Sequence, residues 1–318
     1  ILNELKRWSL VLRALLFFFF VHFNFGRSIL PAGGGQDFFR NPILNAVYTS
    51  YVRLFRFFDL KLLRLAGKTI VVTFQGDDAR QARYLWQNYE IHPAQGADYY
   101  SDAGDAANRE RIRAFDRYAD AIFFLNPDLR GVLPERAQFV PYLHVDVQSW
   151  ESNPPNPRST APLKIVHAPS NRGVKGTKHI EAAVESLKRQ GHEFEFILVE
   201  NMSYAEALEV YKTADILIDQ LLVGWYGGLA LELMALGKPV ICYIRTTDLS
   251  AIPPQMAQEL PVLNANPETI EETLLRVLKA KREELESLGR QSRLYSEKWH
   301  SPSAIAMEIC KHYSLRSG

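Results

Sequence analysis

Residues 163–179 read LKIVHAPSNRGVKGTKH, and the fold is decided there. The stretch 164–168, with Ile165 and Val166 at its centre, has the length of a buried strand. It gives way to a loop carrying Ser170, Asn171, Arg172, Gly173, Lys175 and Gly176, and a helix opens near Thr177. A strand that turns through a basic, glycine-containing loop into a helix is the first half of a βαβ unit. In an open parallel sheet, ligands sit beyond the carboxyl ends of the strands. Arginine offers a planar fork to phosphate oxygens and lysine a mobile point charge. A helix N-terminus adds unpaired amides and a partial positive charge. Together these suit a diphosphate, although a solvated basic turn after a core strand would read the same way.

Working outward, residues 224–243 read GWYGGLALELMALGKPVICY. Gly227 and Gly228 open a helix after an apolar strand at 216–218, and glycine there lets a ligand approach the backbone closely. Glu232 lies one turn along that helix, where a carboxylate can take both hydroxyls of a ribose. Its neighbours Leu231, Leu233 and Met234 are apolar, which argues against an ordinary surface charge. Gly237-Lys238-Pro239 then ends the helix and starts the next buried strand.

The same alternation runs through most of the chain. Strands are expected at 17–23, 69–74, 121–125 and 138–140 in the first half, and at 164–168, 195–199, 216–218 and 239–243 in the second. Helices are expected at 45–65, 108–118, 178–189, 205–213 and 228–236, with a charged helical pattern at 268–298 and a last helix from Ser301. Strands separated by helices imply parallel sheets and α/β layers. The stretch 152–162, SNPPNPRSTAP, carries four prolines and reads as an exposed connector between two α/β units. The expected division is therefore 1–151, a linker 152–162, 163–300, and a terminal helix 301–318 packing back on the first domain.

With 318 residues, 47% of them hydrophobic, the chain can build two buried cores, and its net charge of +1 supplies no field for nucleic acid. Cys242 and Cys310 give neither a disulfide framework nor a zinc spacing, and read as small buried residues in a reducing compartment. The apolar run 10–21 is interrupted by Arg13 and falls short of the roughly 20 residues that span a bilayer. No small-residue cleavage pattern follows it. A buried parallel strand ending at Phe25-Gly26 is the expectation. The chain opens Ile1-Leu2 without an initiator Met, which suggests a fragment whose first strands lie upstream.

The order of strand, Arg/Lys-Gly loop, helix, strand, helix, strand, then Gly-Gly-x-x-x-Glu and Gly-Lys-Pro-Val resembles the C-terminal domain of family 4 retaining glycosyltransferases of the GT-B fold, from about Leu163 to Ile244. Residues 73–80, TFQGDDAR, resemble that family's loop after an acceptor-domain strand, and 22–26, HFNFG, an earlier loop of the same domain. Residues 120–129 and Val140-Pro141 resemble its approach to the interdomain linker. The resemblance implies an α/β protein of GT-B architecture, with two doubly wound Rossmann-like domains facing a cleft. It implies transfer of a sugar from a nucleotide-sugar donor to a glycan or lipid-linked acceptor, with retained configuration, in polysaccharide or glycoconjugate biosynthesis. Arg172 and Lys175 would neutralise the departing diphosphate, usually the largest catalytic effect. Gly227, Gly228, Glu232, His167, Asp219 and Tyr226 would line the donor site, and His22, Gln75 and Asp77 the acceptor side. No metal and no cofactor beyond the donor is expected, since no Asp-x-Asp motif is present and Asp77-Asp78 read as a polar loop and cap.

Two positions depart from the pattern. The family's sugar-contacting Glu, eight positions before Glu232, is Gly224 here, and its frequent His is Gln75. Asp219 and Gln220 are candidate replacements. His22, at the end of an aromatic strand, reads first as a hydrogen-bonded packing residue, and His167 equally as a structural His or a donor contact. The segment 45–65 places Arg53, Arg56, Lys61 and Arg64 among leucines and phenylalanines. That suits either a helix packed on the sheet or peripheral contact with the inner face of a cell membrane by a cytoplasmic enzyme. Two other readings remain: a non-catalytic nucleotide-sugar-binding module, and a nucleotide-sugar epimerase of the same fold.

Overall fold

The computed structural model describes residues 2–31, 39 and 41–313. They fall into two compact units, one drawn from Ile1–Gln87, Tyr99–Val140 and Ala306–Gly318, the other from Asn88–Asp98 and Pro141–Ile305. The stretch 152–162 lies within the second unit, where the Asn153 backbone N–H donates to Leu236 O at 2.8 Å and its side-chain amide to Lys212 O at 2.9 Å.

The first unit runs α1 (Leu2–Phe17), β1 (Phe20–Asn24), α2 (Pro42–Phe55), α3 (Phe58–Leu65), β2 (Thr69–Phe74), α4 (Ala82–Asn88), α5 (Asp102–Tyr118), β3 (Ala121–Phe124) and β4 (Gln138–Phe139). The strands form a parallel sheet in the order β1-β2-β3-β4. All six residues of β2 are buried, as a strand covered on both faces requires.

Two expectations are corrected here. The run at 17–23 is not one buried strand. Helix α1 extends to Phe17, the strand starts at Phe20, and Phe17, Phe18, Phe19 and Phe20 are all exposed. The helix forms because the less exposed positions, Glu4, Arg7, Trp8, Val11, Ala14 and Leu15, recur at helical spacing. That face is tied to α2: Trp8 Nε1 donates to Tyr51 Oη at 2.7 Å, and Tyr48 and Tyr51 hydroxyls donate to the Glu4 carboxylate at 2.8 and 3.0 Å. Nor is 45–65 a single helix. It breaks between α2 and α3 at Phe57, which has φ 56 in the left-handed region. Burial of the Phe57 ring accompanies that turn.

The second unit runs β5 (Leu163–His167), α6 (Arg172–Lys175), α7 (Thr177–Arg189), β6 (Phe194–Leu198), α8 (Tyr204–Thr213), β7 (Ile216–Ile218), α9 (Gly228–Ala235), β8 (Val240–Cys242), α10 (Pro254–Gln258), β9 (Val262–Asn264), α11 (Ile270–Lys279) and α12 (Arg282–Trp299). Helix α13 (Pro302–Cys310) follows, and from Ala306 its residues belong to the first unit. The parallel sheet has the order β6-β5-β7-β8-β9. Chain order reverses between β5 and β7, and such a switch point is where doubly wound sheets bind ligands. Ile165, Ile180, Leu187, Ile216, Ile218, Ile241 and Leu274 belong to one buried cluster across this sheet, each contributing roughly 1.5–3 kcal/mol. The separation of α11 from α12 refines the expected helical stretch 268–298, and strand β9, just before it, is not among the expected strands. Cys242 is buried as expected, but Cys310 is exposed on α13.

Candidate functional site

The switch point brings together two loops distant in sequence. After β5, Asn171 caps α6, its Oδ1 accepting from Val174 N at 3.0 Å. Lys175 therefore falls at the end of a single helical turn, and Gly176 follows at φ 75. After β7, Asp219 is almost wholly buried. Its Oδ1 accepts from Lys175 Nζ at 2.7 Å, and its Oδ2 from the Gly227 amide at 2.6 Å. One carboxylate thus ties the basic loop after β5 to the start of α9 after β7. Leu221 N donates to Lys175 O at 3.0 Å and closes the same junction. A Cβ at Gly227 would lie 3.1 Å from Lys175 Nζ, a tight contact that would press on the ammonium.

Glycine is needed at Gly173. A Cβ there would lie 1.7 Å from Gly96 O, and one at Gly96 would lie 2.1 Å from Gly173 O. The segment 88–98 is seated against the turn that carries Lys175.

His167, at the end of β5, is buried with both ring nitrogens engaged: Nδ1 lies 2.8 Å from Ile218 O, and Nε2 2.8 Å from Thr177 Oγ1. A carbonyl only accepts, so Nδ1 carries the proton and Thr177 donates to Nε2. Burial pushes its pKa down to about 4, which keeps the ring neutral. His167 thereby fastens the start of α7 to β7. Tyr226 is fully buried, its hydroxyl 2.8 Å from His300 Nε2 and 3.3 Å from Tyr295 Oη, while His300 Nδ1 donates to Tyr142 O at 2.7 Å. Burial pushes the Tyr226 phenol well up and His300 down to about 4. Gln220 is buried and donates to Trp225 O.

Arg172 is exposed and already bound by two carboxylates, Glu181 at 2.5 Å and Glu200 at 2.9 Å. Glu232 lies inward on α9, with burial raising its pKa. Tyr204 Oη donates to Glu232 Oε2 at 3.3 Å, and His144 Nε2 lies 3.8 Å from Oε1. The His144 ring sits over Gly228, where a Cβ would be 3.1 Å from Cε1. Sequence reasoning missed both Tyr204 and His144, which reach Glu232 only through tertiary packing. Tyr204 also lines a cavity of about 630 Å³ with Trp150, Asn153, Leu208, Lys212 and Leu236.

At Gly224, φ is 92 and a Cβ would lie 2.5 Å from Arg245 Nη1. The Arg245 guanidinium fills that space, 3.7 Å from the Tyr89 ring centroid and hydrogen-bonded to Asp248 Oδ2 at 2.8 Å and Ile91 O at 2.7 Å.

In the first unit, Asn24 ends β1, and Gln75 and Asn126 follow the carboxyl ends of β2 and β3. Gln75 Nε2 reaches Asn24 Oδ1 at 3.5 Å, and Asn126 donates to Gln75 O. Asp78 closes the turn by accepting from the Gln75 and Gly76 amides at 3.0 and 2.6 Å. Asp77 accepts from Arg80, Tyr99 and Tyr100. His22 is held between Tyr313 Oη at 2.6 Å and Thr73 Oγ1 at 2.8 Å, so both its nitrogens are engaged. Among the described residues, no group of three or more His, Cys, Asp or Glu side chains could hold a metal ion.

This architecture is the GT-B fold, with Rossmann-like parallel sheets. The chain is similar in structure to sucrose-phosphate synthase from Thermosynechococcus elongatus (16% identity, TM-score 0.58, covering 98% of this chain and 77% of that one). It is similar to WaaG, a glycosyltransferase involved in lipopolysaccharide biosynthesis (16% identity, TM-score 0.53, 91% and 86%). It is also similar to Anabaena HepE in complex with UDP-glucose (10% identity, TM-score 0.51, 98% and 83%). No protein-family model and no curated protein matches the chain.

Proposed function

We propose that the protein is a glycosyltransferase that takes a sugar from a nucleotide-sugar donor bound at the β5–β7 switch point of the second unit. The observation that carries the reading is the Lys175–Asp219–Gly227 junction: a buried cation and the first amides of α9 converge where a GT-B sheet reverses order. Lys175 supplies the charge that stabilises the departing diphosphate, and the Gly228 amide at the start of α9 contacts its oxygens, the Gly227 amide being held by Asp219. Arg172, tethered to Glu181 and Glu200, adds positive charge at the rim only once a diphosphate draws it away from those carboxylates. Glu232 takes the ribose hydroxyls, and Tyr204 and His144 orient it. His167 and Tyr226 act through position, by fixing the start of α7 and the approach to α9. The structural relatives include a complex with UDP-glucose, which supports a nucleotide-sugar donor.

The finer reading is a retaining, metal-independent transfer to a glycan or lipid-linked acceptor held by the first unit, around Gln75 and Asp77. Peripheral contact with an anionic membrane accompanies it. The exposed face of α2 (Ile43, Val47 and Leu54) supports that contact, with Arg53 beside it. Among the described residues, no helix is long and apolar enough to cross a membrane.

The test is calorimetry with a panel of nucleoside diphosphates, together with donor hydrolysis and transfer assays. Wild type binds at least one nucleotide, and Glu232→Ala weakens it roughly tenfold, the loss of one charged hydrogen-bonding group. Unchanged nucleotide binding and turnover in both Lys175→Ala and Glu232→Ala would refute the site. A second reading, a non-catalytic nucleotide-binding module, is favoured by Gly224, whose side-chain space Arg245 occupies. It predicts nucleotide binding with neither hydrolysis nor transfer.

A further inference from the structure

Tyr99 and Tyr100 lie beside the loop that follows β2 in the first unit. Their rings stack at 4.7 Å between centroids and 22° between planes. Both hydroxyls donate to Asp77, Tyr99 to Oδ2 and Tyr100 to Oδ1. The carboxylate is fixed from below by Arg80, itself buried, which donates to Asp77 Oδ1 at 3.0 Å and to Asp128 Oδ2 at 2.6 Å. Asn108 donates to the Asp77 carbonyl at 2.9 Å and fixes the backbone. The whole group is therefore preorganised.

It is not closed. The Asp77 side chain keeps 41% of its exposure, and Tyr99, with one ring face covered by Tyr100, is 50% exposed. Asp77 Oδ1 already accepts two hydrogen bonds, whereas Oδ2 accepts only that of Tyr99 among the described contacts and retains a lone pair. An open aromatic face beside a carboxylate with acceptor capacity matches one ligand chemistry closely. A pyranose ring presents axial C–H groups, which are attracted to the negative face of an aromatic ring. It presents vicinal hydroxyls at its edge, which donate to carboxylate oxygens. An anionic ligand is disfavoured beside Asp77, and a purely apolar one would cover the remaining lone pair of Oδ2 without supplying a donor.

We propose that Tyr99, Tyr100 and Asp77 form a binding subsite for a neutral pyranose. Its place in transfer, as the subsite for the acceptor's sugar, rests on the transferase reading, whereas the binding itself does not. Stacking on Tyr99 sets the ring plane, Asp77 Oδ2 takes one hydroxyl, and Arg80 holds the carboxylate in place.

The experiment is saturation-transfer NMR with methyl glycopyranosides of the gluco, galacto, manno and N-acetylgluco series. It uses the wild-type chain, Tyr99→Ala and Tyr99→Phe, with UDP binding measured on each by calorimetry. At least one glycoside takes saturation at its ring protons with wild type. Tyr99→Ala weakens that binding roughly tenfold through loss of the stacking face, and Tyr99→Phe, which keeps the face, stays close to wild type. UDP binding, assigned to the second unit, is the same across the set. If no glycoside is saturated by wild type, or if Tyr99→Ala binds as well as wild type, the proposal is overturned. If wild type binds a glycoside through Tyr99 but not UDP, the donor reading fails and the subsite stands.

Discussion

Replacing Lys175 by methionine tests the junction at the centre of the site, because it removes a charge while keeping most of the side-chain volume. In the wild type, Lys175 Nζ and Asp219 Oδ1 are 2.7 Å apart, with side-chain exposures of 11% and 0%. At an effective dielectric of about 20, the attraction at that distance is roughly 6 kcal/mol. Desolvation of the two ions offsets most of this in the intact pair. The substitution removes the attraction and leaves the desolvation of Asp219 in place, with the Gly227 amide at 2.6 Å as its remaining close donor. The expected destabilisation is about 3–5 kcal/mol, the range for breaking a buried pair from one side. Adding Asp219→Leu removes the stranded carboxylate. The double variant should therefore be more stable than the sum of the single losses predicts, by about 2 kcal/mol. Urea titrations followed by far-ultraviolet circular dichroism and by tryptophan fluorescence measure this, with the midpoint compared at constant slope. A Lys175→Met protein within about 1 kcal/mol of wild type, or single losses that simply add, would show that the pair is not held as described. No preset charge would then stand at the switch point.

Three further outcomes are expected. Gly173→Ala puts a Cβ 1.7 Å from Gly96 O; the backbone must shift, so the melting temperature falls by the equivalent of about 1–3 kcal/mol and nucleotide affinity falls with it. Gly224→Glu, which restores the residue the family resemblance would place there, gains no turnover in a transfer assay. It loses about 2–4 kcal/mol of stability, because φ is 92 and the new side chain displaces Arg245 from Tyr89. Burial lowers His167 and His300 to about 4, below the ordinary value near 6.5. Below that value the unfolded chain binds more protons than the folded one, so stability is full above about pH 6.5 and falls as pH drops toward 4. Between pH 6.5 and 5 each ring accounts for at most about 2 kcal/mol. Urea midpoints across that range should decline for wild type and more shallowly for His167→Asn.

The elements that were legible in the sequence are those whose pattern has one physical cause. Strand β2 and strand β7 stand at the expected positions because every residue in them is buried, and a short, mostly apolar run between turn signals leaves few alternatives. The basic turn from Asn171 to Gly176 was legible from its cations and glycines, although the helical turn that Asn171 caps within it was expected as loop. The 17–20 phenylalanine run misled for the opposite reason. Periodicity cannot separate strand from helix across a junction where the apolar side chains stay exposed, and helix α1 is fixed instead by Glu4 and Trp8 meeting tyrosines of α2. The break at Phe57 has no Gly or Pro to announce it.

For the candidate site, local chemistry singled out Lys175, Gly227 and Glu232, but sequence could not say what each faces. Asp219 was expected to meet a sugar, and it holds Lys175 and the Gly227 amide instead. That distinction matters for mechanism. On the proposed reading, a diphosphate arriving at the junction meets a lysine already oriented by Asp219, so little reorganisation is needed as charge develops on the leaving group. It also meets a competitor, since Asp219 holds the same ammonium. The two effects separate under Asp219→Asn. This change keeps an oxygen for the Gly227 amide and removes the competing charge. If orientation dominates, turnover falls while nucleotide affinity is kept or strengthened. Parallel calorimetry and transfer rates on that one variant measure both, and a loss of affinity equal to the loss of turnover would show that Asp219 contributes to binding alone.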